Sequence, residues 1–125
     1  MHSDKLEQAL RACTDTRFAR RWGRHVNTVF LLAVGVDEYL VSLERGEVRE
    51  FTRGPLLTPS YVFGVRASAE TWTEFWSARP APGRHDLMAL LKYGQLSLEG
   101  NLHPLMANLF FFKYLLESPR QPKGA

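Results

Sequence analysis

Four histidines, one cysteine and thirteen carboxylates are the first groups to test for acid–base, nucleophilic or metal chemistry in this chain. The histidines are His2, His25, His85 and His103, and no two stand four apart, as a helical metal or proton-transfer pair would. His85 and Asp86 form the one histidine–carboxylate neighbour pair, and Asp86 is better explained as the N-cap of a following helix. Cys13 falls on the apolar side of a predicted helix, where burial as a small hydrophobe outweighs reactivity. No cysteine–histidine set has zinc spacing, so no metal is expected. A nucleophile-elbow pattern, a phosphate-binding glycine loop and a dinucleotide fingerprint are all missing. The carboxylates are spread over turns and helix faces, with no isolated pair for acid–base work. The sequence therefore makes no positive case for an enzyme or a cofactor. A small enzyme using His85 or His103 ranks behind the binding functions below.

Two stretches carry interaction chemistry instead. Between Arg17 and His25, basic charge gathers around Phe18 and Trp22, which share a helical face. Arg17, Arg20, Arg21 and Arg24 beside Trp22 suit a transient contact with anionic lipid headgroups, arginine supplying charge and tryptophan an interfacial anchor. A phosphate-backbone contact is the second reading, and a solvated arginine face over two core aromatics is the plainest. The net charge of +3 and pI near 9.3 permit an anionic partner without requiring one. No nucleic-acid-binding motif accompanies the cluster, so nucleic acid is not expected.

The second stretch runs from Gly94 to Glu117. Leu96 and Leu98 alternate with polar residues between glycines, which predicts a half-buried strand. A helix apolar around most of its circumference follows, capped by Asn101, with Pro104 in its first turn. His103, Lys113 and Glu117 share its polar sector, Lys113 and Glu117 at i,i+4 spacing. Asn108 sits in the apolar arc. Such a helix must be covered by a sheet, other helices or a ligand.

The remaining elements position these stretches. A helix is expected from Asp4 to Thr14, opened by an Asp4–Glu7 capping box. Thr28–Val34 is a continuous apolar run, as in a strand covered on both faces. Glu38–Glu44 alternates and turns at Arg45-Gly46 into a strand from Glu47 to Thr52. The register of that tight turn is open: a two-residue loop sets Glu44 against Glu47, an unfavourable like-charge pair, and a longer loop with Gly46 left-handed avoids it. Tyr61–Ala67 is a fourth strand, in which Gly64 signals a bulge or a close approach by another group. Ser68 caps a helix bearing Trp72, Phe75 and Trp76 on one face, and Asp86 caps a helix ending near Gly94. Sequential hairpins predict an α+β fold with a mostly antiparallel sheet packed by helices.

The 125 residues suffice for one domain with one core, placed at 1–117, with 118–125 read as a short flexible tail. The lone cysteine excludes an internal disulfide framework. With no signal-peptide pattern and no membrane span in the sequence, a soluble cytoplasmic protein is expected.

Taken in order, these features resemble the sterol carrier protein 2-like lipid-binding domains over roughly Val29 to Leu116. The resemblance rests on the hairpin strands through Val41–Val48, the Gly54 loop, Tyr61–Val65 followed by Ser68 to Glu70, and the pattern Gly94, Leu96, Leu98, Gly100 and Asn101 before a hydrophobic last helix. The segment Gly54–Pro59 and the proline-rich connector Arg79–Asp86 depart from the family pattern. The resemblance implies a five-stranded sheet covered by helices, with an apolar tunnel between them. Its candidate lining residues here are Phe30, Leu32, Phe63, Trp72, Trp76, Leu98, Leu105, Leu109 and Phe112, with Asn108 orienting a polar end. The implied function is non-enzymatic carriage or presentation of an acyl, sterol-like or isoprenoid ligand. The alternative is an accessory or scaffold subunit that meets a lipid-metabolising enzyme through the same fold without an open cavity.

Overall fold

A computed structural model describes residues 3–121. The helices α1 (Ser3–Thr14) and α2 (Arg17–Gly23) precede the strands β1 (Thr28–Val34), β2 (Asp37–Glu44), β3 (Glu47–Arg53) and β4 (Phe63–Ala67). Then come α3 (Ala69–Phe75), α4 (Leu87–Lys92), β5 (Leu96–Gly100), α5 (His103–Ala107) and α6 (Leu109–Glu117). The strands form one sheet in the order β3-β2-β1-β4-β5. Neighbours are antiparallel except the central pair β1–β4, which runs parallel with Phe30 beside Phe63 and Leu32 beside Val65.

Alternation sends Phe30, Leu32, Val41, Leu43, Phe63, Val65 and Leu96 to one face, where they join the buried residues of the helices in a single core. Leu31 and Ala33 point the other way and are buried as well. Over that second face Arg66 bridges Glu38 at 3.1 Å and Glu99 at 3.2 Å, and Tyr61 donates to Glu99 at 3.1 Å. This polar layer explains why β1 is apolar on both sides. Gly64 lies beneath it: a Cβ there would stand 2.5 Å from Glu99 Oε1, so the anticipated close approach is made by Glu99.

One open register is decided and two local expectations are overturned. The β2–β3 loop has two residues, Arg45 and Gly46, both at positive φ, and Glu44 does face Glu47. A register shift after Ser42 frees Arg49, which pairs with Glu44 at 3.2 Å and offsets the like-charge contact. Gly46 is further fixed by Gly23, whose carbonyl oxygen would lie 2.5 Å from a Cβ at Gly46. Asp4 and Glu7 do not make a capping box; both hold Arg53, at 2.6 and 2.8 Å, fastening α1 to β3.

The second correction is to the last helix, which is two helices. Asn108 has φ −128 and ψ 40. Its backbone N–H donates to Leu105 O, and its side-chain Nδ2 takes over the Pro104 carbonyl at 2.9 Å. The side chain thus replaces the backbone bond that a continuous helix would have made. Asn101 does accept from His103 N–H at 3.1 Å, across two residues. Lys113 pairs with Asp86 at 2.7 Å, leaving Glu117 to a half-buried site of its own.

Candidate functional site

Helix α3 is anchored at both tryptophans. Trp72 Nε1 donates to Ala33 O at 2.9 Å and Trp76 Nε1 to Leu116 O at 2.8 Å, and their rings stack 4.9 Å apart. Ser68 caps the helix through Thr71 N–H. Between this helix, the β1–β2 turn and the C-terminal segment lies a half-open apolar groove of about 610 Å³. Val34, Tyr39, Ala69, Trp72 and Trp76 form much of its lining, while Asp37, Thr73, Ser77 and Gln121 supply its polar atoms. Residues 118–121 are held to the domain here. Gln121 N–H donates to Trp76 O at 2.9 Å, and Arg120 bonds the carbonyls of Phe75 and His85 while lying over the Phe75 ring. Residues 122–125, the rest of the expected tail, lie outside the described residues.

Of the ten residues expected to meet a ligand, Trp72 and Trp76 line this groove. Phe30, Phe63 and Phe112 meet one another in the core: Phe30 and Phe63 stack at 5.4 Å, with Phe112 edge-on to both. Leu32 and Leu105 are fully buried, and Leu98, Leu109 and Asn108 are half-buried. Val34, Tyr39, Ala69, Thr73 and Gln121 escape a reading of the sequence because they come from four separate segments. The alternation in β1 and β2 does place Val34 and Tyr39 on the core face, which is the available signal.

The basic cluster gains partners that its own segment does not reveal. Phe18 packs on Tyr114 at 4.4 Å and Trp22 edge-on to Phe110 at 5.8 Å, joining α2 to α6. Trp22 is 48% and Phe110 65% exposed, so the result is an aromatic surface. Arg20 pairs with Asp15, whereas Arg17, Arg21 and Arg24 are exposed and make no ion pair among the described residues.

The reactive groups remain dispersed. His25, His85 and His103 are exposed on different elements, and His2 is outside the described residues. Burial pushes the Cys13 thiol up to about 11, against a smaller opposing effect from Ser118, which suits packing rather than nucleophilic use. Among the described residues no cluster of histidine, cysteine and carboxylate groups is arranged for a metal ion, and no helix is long and apolar enough to cross a membrane.

The architecture is the sterol carrier protein 2-like α+β fold. A crystal structure of sterol carrier protein 2 is similar over 97% of both chains, with a TM-score of 0.76 at 18% identity. A possible sterol carrier protein from Thermus thermophilus aligns over 98% of this chain and 90% of its own, with a TM-score of 0.68 at 15% identity. A ubiquinone synthesis protein described as UbiJ-SCP2 aligns over 93% and 85%, with a TM-score of 0.57 at 16% identity. No protein-family model and no curated protein matches the sequence.

Proposed function

We propose that this protein binds a hydrophobic ligand and carries or presents it without transforming it. The observation that carries this reading is the tryptophan-walled groove in a sterol carrier protein 2-like fold. Its volume falls in the range of small-molecule sites, and its wall combines apolar and aromatic residues with the polar Asp37, Thr73, Ser77 and Gln121. An acyl, sterol-like or isoprenoid chain entering it is stabilised by about 0.8 kcal/mol for each CH₂ removed from water. The α2–α6 aromatic face with Arg17, Arg21 and Arg24 then docks the carrier on anionic membrane, where ligand is collected or delivered. The lone buried thiol suits work in the cytoplasm.

A second reading is supported by the filled interior. With Phe30, Phe63 and Phe112 in mutual contact, the protein would act as an accessory subunit whose exposed aromatic face meets a lipid-metabolising enzyme. Native mass spectrometry of the purified protein, followed by lipid extraction, separates the two. A stoichiometric lipid is the expected outcome. A clean apo mass with no uptake from a mixed lipid panel transfers the function to the subunit reading.

A further inference from the structure

The polar atoms of the groove are unequal in what they have left to offer. The indole N–H groups of Trp72 and Trp76 are spent on backbone carbonyls. So are the hydroxyls of Thr73, on Ala69 O, and Ser77, on Glu74 O. Among the described residues, no lysine or arginine lines it. Arg120, next to Gln121, is occupied by two carbonyls, and Arg79 follows Ala78 without joining the wall. Among the described residues, the one charged group lining the groove is Asp37, exposed at the start of β2 and without an ion pair. Beyond Asp37 and Tyr39, which it shares, a second hollow of about 650 Å³ contains Arg53. That guanidinium is already claimed by Ser3, Asp4 and Glu7, two carboxylates to one cation.

We infer that the groove selects amphiphiles whose polar end donates hydrogen bonds, an amine or alcohol, and discriminates against free carboxylates, with Asp37 as the selecting residue. This rests on the ligand-binding reading and adds the chemistry of the head group. An ammonium placed beside Val34 and Tyr39 meets the Asp37 carboxylate, and an alcohol donates to it. A carboxylate meets like charge there, and of the lining side-chain donors only the Tyr39 hydroxyl and the Gln121 amide are free of a hydrogen bond among the described residues. Tyr39 registers the same field: its phenol is raised first by burial, then by the Asp37 charge, with Arg53 opposing.

The test uses three ten-carbon probes below their micelle concentrations, decylammonium, decan-1-ol and decanoate, titrated against tryptophan fluorescence for the native chain and Asp37→Asn. Decylammonium is expected to bind about fivefold or more tighter than decanoate, a surface-charge-sized preference. Asp37→Asn is expected to erase that gap while leaving decan-1-ol within about twofold, since the amide still accepts a hydrogen bond. Decanoate binding as tightly as decylammonium, or a preference unchanged in Asp37→Asn, overturns the assignment and leaves the groove a ligand site of other selectivity. Binding of none of the three removes the groove as a ligand site and the inference with it.

Discussion

Gly64 has no side chain because Glu99 uses its space. A methyl group there meets Glu99 Oε1 at 2.5 Å and Cγ at 2.8 Å, so the carboxylate must swing away from Tyr61 and Arg66. Gly64→Ala is therefore expected to cost about 1–2 kcal/mol in urea denaturation, the overpacking loss exceeding the strand-entropy gain. In a Glu99→Ala background the same change becomes neutral or stabilising, because the blocking group is gone. A loss of equal size in both backgrounds would trace the effect to the backbone and not to Glu99.

At the scale of elements, α2 and α6 act as one surface, since Phe18 and Trp22 lean on Tyr114 and Phe110. Reversing Arg17 and Arg21 together to glutamate is expected to weaken binding to phosphatidylserine vesicles about tenfold or more at low salt, at roughly 1 kcal/mol per charge near the surface. Trp22→Ala should weaken it at all salt concentrations, because its share is apolar. Sedimentation with vesicles reads both effects; wild-type binding by the double-charge variant would end the docking role. How far such elements are legible from sequence depends on where their determinants lie. Strand β1 is bounded as its apolar run indicates, and the caps at Ser68 and Asp86 stand where their side chains predict. The break at Asn108 is not legible, since an asparagine in an apolar arc is silent until its amide takes the Pro104 carbonyl. The register of the tight hairpin stays open in the sequence because the relief of Glu44 comes from Arg49, a residue positioned by a shift in register. The groove is half legible: the tryptophans are visible, but the segments that converge on them are not.

For the whole molecule, two carboxylates on the α4–α6 side respond oppositely to pH. Burial opposes ionisation of Asp86, but the hydrogen bond and charge of Lys113 and the Ala89 N–H outweigh it, holding its carboxyl below the usual value. A depressed carboxyl contributes stability above its unfolded pKa and loses it as pH falls through the folded one. Asp86→Asn keeps the cap and loses the charge, so it should be destabilised by about 1 kcal/mol or less at pH 7, a gap that narrows below about pH 4. Glu117 is raised, chiefly by burial, against the attraction of Arg120 and Lys113. Its charged form therefore costs stability as pH climbs from its unfolded range through its folded pKa. Glu117→Gln should be more stable than the native chain at pH 7 and lose that advantage in acid. Urea midpoints across pH 3–8 check both, and parallel curves for all three proteins would rule the two residues out as the source.

The parallel pairing of β1 with β4 divides the sheet into two halves of different origin. Strands β1, β2 and β3 follow one another through tight turns, so their pairing needs only local chain reversal. The bonds between Phe30–Val34 and Phe63–Ala67 have no such turn; they form only when the β2–β3 hairpin and the loop after Arg53 have been folded out of the way. Completing the sheet thus requires closing two long connections of equal length, 35–62 before β4 and 68–95 after it, before their contacts give anything back, which makes this seam one of the two entropically costly steps of assembly. The stacked Phe30 and Phe63 sit at its first pair of residues, where a large apolar contact offsets that closure as soon as it occurs.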